Sequence, residues 1–465
     1  MEILRRSPML AVLAALVTGL ALYGRAGVLA FILGVLALFL AVMLSSYEWE
    51  LPEQWQMLAF MAVFVMLCSW RVYSVVSEPQ PQPLTLHNET GTITELRQWG
   101  RTYAHVIDTE HNGRLVAFLP FAEYMTGTRI QFSGTTRAFK RASRPGGFDE
   151  FRFWNGRGVT ACVSLLEVTE LPRKWSISLL RHELSRKLTI YMPNLTASYL
   201  KAAWLGERDK SLNDHHRRCG TSHLLVVSGF HVGIVILCAS FFFGVSPVIL
   251  SLILWFYVLL TGAVPSTIRA ALMVQVWLLA KVIGRRANAV NSVCTAGVLL
   301  LLWRPFLFWD IGWRLSVLSA LTISAMSQAG FRWFTISPAI WLVTFPQVSY
   351  TFGSVPVVGA ILNLFAPMFF AVAFTVSSFG AFLRLIGLPL SRYFMLAVEG
   401  IFVLWEKVAD VFLEVIPQVI GWNYLTAWLS CGVITFFVCR YLELAPLRTA
   451  AVMGVIGFMA FMVFL

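Results

Sequence analysis

Two histidines and a serine enter an apolar part of this chain close together, and their side chains can do chemistry. His223, Ser228 and His231 lie within the run GTSHLLVVSGFHVGI, which begins at Gly220. In an apolar interior such as a lipid bilayer, each unpaired polar group costs several kcal/mol. We therefore expect the three side chains to face a protein-lined cavity, a water path or one another. On one ideal helix they would share a broad face.

A serine beside a histidine is also the pair that hydrolytic enzymes use as nucleophile and base. Ser228 does not lie in a G-x-S-x-G turn, and no carboxylate is evident that would orient the ring of His231. Gly229, which follows the serine, is explained more simply by a kink or by close helix packing. Three interpretations stay open, namely a pathway lining, buried structural hydrogen bonds and hydrolysis, and we favour the first.

A second group of potential ligands lies between residues 215 and 223. Their three- and four-residue spacings would let one helix face offer nitrogen and sulfur donors to zinc. However, a glycine separates the third donor from the fourth, two adjacent arginines oppose a cation, and no acidic base is nearby. We therefore predict no metal site and no cofactor. The four donors are His215, His216, Cys219 and His223.

Motifs for energy-driven or nuclease chemistry are missing from the sequence. The chain has no P-loop, no dinucleotide-binding fingerprint and no H-x-H-x-D-H metal cluster. We therefore predict that this chain is not an enzyme and that no residue in it is catalytic. Any driving force for its function must come from elsewhere.

Three further polar side chains interrupt apolar runs. Arg269 follows Pro265 in TGAVPSTIRAA, where the proline is suited to start a helix and the arginine falls in its first turns. Arg314 lies in GWRLS, and Asn363 lies in ILNLFAP, where the proline predicts a broken helix. A buried arginine is costly unless it is solvated or paired. Arg269 and Arg314 therefore either meet phosphate in a polar cavity or anchor a helix at an interface.

The composition indicates the surroundings of these side chains. Hydrophobic residues make up 58% of the chain and charged residues 13%, whereas soluble domains carry about half and about a quarter. Apolar runs near the roughly 20 residues that span a bilayer recur along the chain, apart from one polar insert. We predict a polytopic α-helical membrane protein of about ten to twelve helices with an inserted small all-β domain. The net charge of +12 fits basic cytoplasmic loops and also a surface for a polyanion.

The pattern along the chain predicts four regions. Residues 1–78 hold three apolar runs and end at a proline-rich PQPQP segment suited to a stiff linker. Residues 79–172 form the polar insert, residues 173–220 an amphipathic segment with one helix over 175–200 along the membrane interface, and residues 221–465 the main membrane block. The first three predicted spans are 9–23, 28–44 and 57–76. The predicted breaks in the main membrane block are at 246–247, 262–267, 284–288, 304–305, 337–338 and 387–392.

The insert has the texture of a β domain. Short alternations of apolar and polar residues separated by glycine and asparagine predict about five strands in a small barrel or sandwich. Asn112 and Gly113 supply the positive φ angles of a tight hairpin turn. With the insert outside the cell, successive crossings place Arg285 and Arg286 on the cytoplasmic side, as basic loops prefer. The predicted strands include residues 90–96, 103–108, 114–119 and 128–134.

The run HHRRCGTSHLLVVSGFHVGI, residues 215–234, resembles the signature of the ComEC-type competence protein family. In that family a Gly-Thr-x-His-Leu-Leu-x-x-Ser-Gly-x-His pattern opens the membrane domain. RPGGFDEFRFW at 144–154 is similar to the end of the family's N-terminal OB-like domain. Other similar stretches are LGER at 205–208, LTGAVPSTIRAALM at 260–273, WRLSVLSAL at 313–321 and FPQVSYTFGSVPVVGAILNLFAP at 345–367. These stretches lie between residues 144 and 367.

The resemblance implies a multi-pass channel in the cytoplasmic (inner) membrane that passes one strand of transforming DNA inward during natural competence. It implies an OB-like domain outside the cell and, as partners, single-stranded DNA, an extracytoplasmic DNA receptor, a cytoplasmic motor or single-strand-binding protein and the lipid bilayer. With Asn363 added as a polar intrusion, the implied pathway residues are His223, Ser228, Gly229, His231, Pro265, Arg269, Arg314 and Asn363.

The insert also offers candidates for DNA contact. Single strands bind in basic grooves where bases stack on aromatic side chains, and the insert contains both residue types. The same aromatic residues could instead form its core. The candidates are Trp99, Arg101, Tyr103, Phe118 and Arg129.

One part of the family pattern is missing. Many members end in a metallo-β-lactamase-like domain associated with nuclease action, whereas this chain ends in an apolar run at Leu465. We expect a short form whose nuclease is a separate protein; a relative that no longer transports and a part of a longer chain are the alternatives. A transporter for another solute, a membrane scaffold and a membrane-embedded hydrolase using Ser228 and His231 also stay open.

Overall fold

The computed structural model of the chain describes residues 9–10, 12–17, 19–20, 52–78, 80–142, 148–172, 174–207, 209–225, 227–244, 246–284, 288–328, 330–416 and 419–421. The described part is mostly helical, and its insert is a β-barrel. Several sequence features lie outside it, namely the predicted span at 28–44, Arg208, the pair Arg285 and Arg286, and residues 144–147 and 422–465.

The start of the chain packs against the later helices. The described residues between 9 and 20 are helical, and helix α1 covers Pro52–Val76. Val72 of α1 is fully buried in an apolar cluster. The cluster also contains residues from the start of the chain and from the later helices. The backbone N–H of Met9 donates to Asn291 Oδ1 at 3.1 Å. These contacts join the start of the chain to the main helical block.

The insert forms a closed five-stranded barrel, in agreement with the predicted small β domain. Around the barrel the strands follow the order β1-β2-β3-β5-β4. Strands β3 and β5 run parallel, and the other neighbours run antiparallel. A short helix, α2, precedes β5 and was not predicted. The elements are β1 Thr85–Trp99, β2 Thr102–Thr109, β3 Arg114–Leu119, β4 Arg129–Arg137, α2 Glu150–Gly156 and β5 Val159–Leu171.

The turn between β2 and β3 is longer than the predicted hairpin. Strand β2 ends at Thr109, and residues 110–113 form the loop. Of the Asn-Gly step only Gly113 has a positive φ, +69°. Asn112 instead donates from Nδ2 to Glu89 Oε2 at 3.0 Å and from its backbone N–H to Thr109 Oγ1 at 3.0 Å. Because these hydrogen bonds hold Asn112 in place, a left-handed backbone is not needed there.

Apolar strand residues fill the barrel, and aromatic rings close one end of it. Ile107 and Phe132 are almost fully buried inside the barrel, as expected for side chains on the inner face of alternating strands. Trp154 of α2 is fully buried in a second cluster. Its ring centroid lies 5.3 Å from that of Trp99 and 5.9 Å from that of Phe118. Both of those aromatic residues therefore belong to the core around α2.

The segment predicted as one amphipathic helix over 175–200 is two helices, so that prediction is wrong. Helix α3 covers Ile177–Tyr191, and helix α4 covers Asn194–Leu205. Pro193 separates them because proline lacks a backbone N–H and disfavours helical geometry in the residue before it. Tyr199 and Leu200 of α4 are fully buried, so α4 lies inside the helical block and not along its surface.

The remaining chain is helical and begins and ends its helices mostly where the sequence predicted breaks. Two predicted breaks are wrong, since Pro338 lies inside α12 and Pro367 inside α13. The helices are α5 Lys210–Arg218, α6 Ser222–Leu225, α7 Gly229–Phe243, α8 Pro247–Leu260, α9 Pro265–Val282, α10 Ala289–Trp303, α11 Ile311–Gln328, α12 Trp333–Phe352, α13 Val358–Leu385 and α14 Ser391–Val415. A 3-10 helix covers Pro305–Trp309, and two short strands, β6 Ser354–Pro356 and β7 Val419–Gly421, pair antiparallel.

One helix of the described part, α13 with 28 residues, is long and apolar enough to cross a membrane by itself. Helices α7, α8 and α10 and the second half of α1 are apolar but shorter. Large apolar side chains such as Phe241, Leu252 and Val372 point outward from the helical block. The ten to twelve predicted spans therefore stay a prediction.

Candidate functional site

Buried charged side chains lie where the barrel meets the helices. Asp310 immediately precedes α11, and its Oδ1 accepts a hydrogen bond from the backbone N–H of Trp313 at 2.9 Å. This contact caps the N-terminus of α11. Asp310 Oδ2 lies 3.3 Å from Nη1 of Arg157, which follows α2 in the barrel. The two side chains are only 13% and 18% exposed, so this ion pair is a largely buried link between the two parts of the chain.

Arg269 lies beside this ion pair, in the second turn of α9. The residue is 3% exposed, and its Nε and Nη1 have no hydrogen-bond partner in the described part of the chain. A methyl group placed on Gly312 would lie 2.8 Å from Asp310 Oδ1 and 3.6 Å from Arg269 Nη2. The carboxylate and the guanidinium therefore border the same small space. Unsatisfied buried donors are unusual and costly, so the unpaired N–H groups of Arg269 call for an explanation.

Arg314 belongs to the same group. It lies in the first turn of α11, and its Nη2 donates to the carbonyl oxygen of Trp309 at 3.3 Å. Its Nε is buried and without a partner among the described residues. Two predicted pathway residues, Arg269 and Arg314, are thus brought together around Asp310. Sequence reasoning missed Arg157 and Asp310, although both stand next to stretches that it had quoted, RPGGFDEFRFW and WRLSVLSAL.

A tight turn fixes the position of Arg269. Gly262 and Ala263 have positive φ angles of +79° and +51°, and a side chain at Gly262 would collide with the guanidinium of Arg181. The chain then enters α9 at Pro265, as predicted, because the fixed φ of proline suits the first helical position. This arrangement places Arg269 one turn further on and directs it inward.

Aromatic contacts hold the barrel against the 3-10 helix beside the charged group. Phe151 of α2 packs edge-to-face on Phe306, with ring centroids 5.2 Å apart. The guanidinium of Arg152 lies 4.6 Å from the ring centroid of Trp309. The backbone of Gly156 also approaches Phe306 closely, since a Cβ there would lie 3.3 Å from its carbonyl oxygen. The barrel is therefore docked directly over the start of α11.

Ser228 and His231 are close together, but His223 is not on their helix. Ser228 precedes α7 with an extended backbone, φ −133° and ψ 178°, so the expected single helical face is wrong. Ser228 Oγ and His231 Nδ1 are 3.5 Å apart, at the limit of a hydrogen bond. His231 is 4% exposed, and its Nε2 has no partner in the described part. The ring of His231 lies 4.8 Å from that of Phe374.

His223 lies on the short helix α6 in an environment of its own. The residue is exposed. Gly229, the first residue of α7, is also exposed. A polar cavity near the start of α7 stays a prediction.

Of the four potential zinc donors, His216 is committed to other partners. His216 is fully buried, with Nε2 2.7 Å from the hydroxyl of Tyr199 and Nδ1 2.8 Å from Thr221 Oγ1. Both of its nitrogens are therefore occupied by hydrogen bonds. Cys219 Sγ lies 3.7 Å from Nε2 of His215. Within the described ranges, no three His, Cys, Asp or Glu side chains are grouped as a metal site.

Asn363 fastens α13 to the signature run. Its Nδ2 donates to the backbone carbonyl oxygen of Gly220 at 3.3 Å. Its own backbone carbonyl oxygen accepts a hydrogen bond from Ser337 Oγ at 2.9 Å. Gly220 and Gly359 are in backbone contact, since a Cβ on Gly220 would lie 2.9 Å from the Cα of Gly359. Asn363 Oδ1 is buried without a partner in the described part.

The barrel candidates occupy different environments. Trp99 and Phe118 pack in the aromatic cluster around Trp154, and Tyr103 is half-buried. Arg129 Nη2 donates to Glu110 Oε1 at 2.8 Å, and this hydrogen bond lowers the pKa of the Glu110 carboxyl. Arg101 is exposed. DNA contact by the five residues stays a prediction.

The helical part of the chain, which holds Arg269, Asp310 and Arg314, has known relatives. Residues 205–447 match the family model described as Competence protein, and they make up just over half of the chain. The chain belongs to the competence protein family. Arg157 lies outside the matched residues, in the barrel.

The family contains a curated relative in Bacillus subtilis (strain 168). The chain is 28% identical over 250 residues to ComE operon protein 3 of that organism. The aligned region is 50% of this chain but 31% of the relative, so this competence protein matches under a third of the relative's length. No solved structure matches the chain.

Proposed function

We propose that this competence protein is a multi-pass channel of the cytoplasmic membrane that passes single-stranded transforming DNA into the cell. The helical block contains the polar path, and the five-stranded barrel is the OB-like domain, which lies outside the membrane. The proposal rests on the family membership and on one structural observation. That observation is the buried Arg269, whose guanidinium has unpaired N–H groups beside the docked barrel.

The charge of the path supports a polyanionic substrate. Arg269 and Arg314 lie in helices of an apolar block, where a cation is retained only if it is solvated, paired or needed for a ligand. A DNA strand supplies one negative charge per phosphate, and guanidinium groups bind phosphate with two parallel hydrogen bonds. His223 is exposed and adds a second polar side chain along the same block.

The barrel supports a single-stranded form of the substrate. OB-like barrels bind strands by stacking bases on aromatic side chains in a basic groove. Arg101 is exposed and Tyr103 half-buried, so both are accessible to a strand at the surface. Trp99 and Phe118 act chiefly as core residues around Trp154.

We further propose that the chain conducts DNA and does not cleave it, with nuclease activity supplied by another protein. The further proposed partners are an extracytoplasmic DNA receptor and a cytoplasmic motor or single-strand-binding protein. Hydrolysis by Ser228 and His231 receives little support, because no carboxylate of the described part is hydrogen-bonded to His231 and the Ser228 contact is long.

Transformation frequency with externally added DNA tests this proposal. The gene is deleted in a competent host without a second copy and complemented with wild type, Arg269→Ala, His231→Ala or Arg392→Ala. Arg392 is exposed at the start of α14 and serves as the control for loss of one arginine. Membrane fractions are probed for the protein in each strain.

We expect wild type and Arg392→Ala to restore transformation, and Arg269→Ala and His231→Ala to fail while accumulating in the membrane. Normal transformation by both Arg269→Ala and His231→Ala would refute the assigned path. If the deletion strain itself transforms normally, the chain has another function, such as solute transport or scaffolding.

A further inference from the structure

We propose that Arg157, Arg269 and Arg314, arranged around Asp310, form a phosphate-binding site that is complete only when the barrel is docked on the helices. The inference deepens the proposed function, on which it rests, by naming one subsite of the path and its ligand chemistry. It assigns a binding role to Arg157 of the barrel and a regulating role to Asp310.

The charges at this junction do not balance within the group. Three guanidinium groups carry three positive charges, and Asp310 supplies one negative charge. Arg157 has the closest contact with that carboxylate, at 3.3 Å. Arg269 Nε and Nη1 and Arg314 Nε have no partner in the described part of the chain. An anion that accepted these hydrogen bonds would satisfy donors that are otherwise left unpaired at a cost.

The geometry favours a phosphate group as that anion. The group lies at the N-terminus of α11, a helix of 18 residues, where backbone N–H groups and the helix dipole favour negative charge. Arginine presents its N–H groups as a planar fork that matches the oxygens of phosphate. Gly312 keeps the space between Asp310 and Arg269 free of a side chain. The Asp310 carboxylate then competes with the phosphate for the three arginines.

Three separate segments build the site. Arg157 comes from the barrel, Arg269 from α9, and Asp310 and Arg314 from the start of α11. The aromatic contact of Phe151 with Phe306 holds the barrel in the position that brings Arg157 to the group. A strand leaving the barrel for the helices would therefore pass a phosphate contact at the junction.

Binding of a fluorescent oligothymidylate to the purified full-length protein, followed by anisotropy, tests the site. The variants are Arg157→Gln, Asp310→Asn and, as control, Arg392→Gln, which removes one exposed arginine outside the group. Asparagine also caps helices well, so Asp310→Asn keeps the cap of α11 while it removes the competing charge. Each protein is also titrated with a methylphosphonate oligothymidylate of neutral backbone and with inorganic phosphate.

We expect Arg157→Gln to bind the phosphodiester strand about tenfold more weakly, with a salt dependence reduced by about one phosphate contact. We expect Asp310→Asn to bind it several-fold more tightly, which a merely structural role of Asp310 would not produce. Arg392→Gln and the methylphosphonate strand are expected to show neither effect.

Other results have definite meanings. If Arg157→Gln and Asp310→Asn change the affinity for inorganic phosphate and leave that for the strand unchanged, the site exists and its ligand is free phosphate. The site is refuted if Asp310→Asn binds both ligands no better than wild type does and Arg157→Gln binds both as well as wild type does. Failure of Arg269→Ala to transform would leave the proposed function intact in that case. The expected binding changes together with normal transformation by both Arg269→Ala and His231→Ala would refute the assigned path and keep the site.

Discussion

The hydroxyl of Tyr199 and Nε2 of His216 lie 2.7 Å apart in a part of the helical block that solvent does not reach. The other ring nitrogen of His216 lies 2.8 Å from Thr221 Oγ1. The ring of Tyr199 stacks on that of Phe402 at 4.2 Å. This chain of contacts joins α4, α5 and α14 at the start of the signature run, and its polar groups satisfy one another.

Replacing His216 by alanine is expected to destabilise the protein by about 2–5 kcal/mol. The substitution opens a cavity and leaves the hydroxyls of Tyr199 and Thr221 without their partner. Tyr199→Phe is expected to cost less, about 1–3 kcal/mol, because it keeps the ring and leaves only the histidine nitrogen unpaired. Thermal unfolding of the detergent-purified variants measures both effects. Tyr393→Phe, at a residue 71% exposed, is the control, and a His216→Ala protein that melts with it would contradict the expectation.

Gly220→Ala and Gly387→Ala separate backbone strain from packing. Both glycines have positive φ, +70° and +85°. The left-handed conformation therefore costs each alanine variant about 1–2 kcal/mol of stability. Only Gly220 is also in contact, with a Cβ position 2.9 Å from the Cα of Gly359, whereas Gly387 has open space around it. We expect Gly220→Ala to lower the thermal midpoint clearly more than Gly387→Ala does. Equal midpoints would mean that α13 moves away from residue 220 at no cost.

Glu399 caps helix α4 from α14, and its removal is expected to loosen the start of α4. Its carboxylate accepts from the backbone N–H groups of Leu195 and Thr196 at 3.1 and 2.7 Å and from Thr196 Oγ1 at 2.6 Å. Loss of such a cap costs about 1–2 kcal/mol. Faster amide exchange at residues 195–198 in Glu399→Ala is the expected result. Glu414→Ala changes an exposed residue of the same helix and is expected to exchange like wild type.

The sequence predicted the elements whose signals are local. Proline and glycine marked the start of α9 at Pro265 and most other helix ends, and strand alternation marked the barrel. The prediction failed where a distant contact overrode a local signal. Pro367 does not break α13, and Asn112 donates from its side chain to Glu89 and from its backbone N–H to Thr109 Oγ1 in place of a tight Asn-Gly turn.

The charged junction could be predicted only in part for the same reason. Arg269 and Arg314 were recognised because a charged residue in an apolar run is visible in the sequence alone. Arg157 lies in the polar insert, where an arginine is unremarkable, and its ion pair with Asp310 crosses more than 150 positions of sequence. His223 and His231 were placed on one helix because periodicity does not register the extended backbone at Ser228.

His105 is expected to make the barrel less stable in mild acid. Its ring is fully buried, and burial lowers its pKa below the usual 6.5, although the Tyr103 carbonyl and Glu123 act in the opposite direction. Between about pH 6.5 and that lower pKa the unfolded chain binds a proton that the folded barrel does not, so stability falls as the pH falls through this window. Amide exchange in β2, corrected for intrinsic rates, should therefore accelerate from about pH 7 to about pH 5.5. His105→Gln is expected to remove this acceleration and His87→Gln, at an exposed site, to keep it; parallel acceleration in both variants would assign the effect to another group.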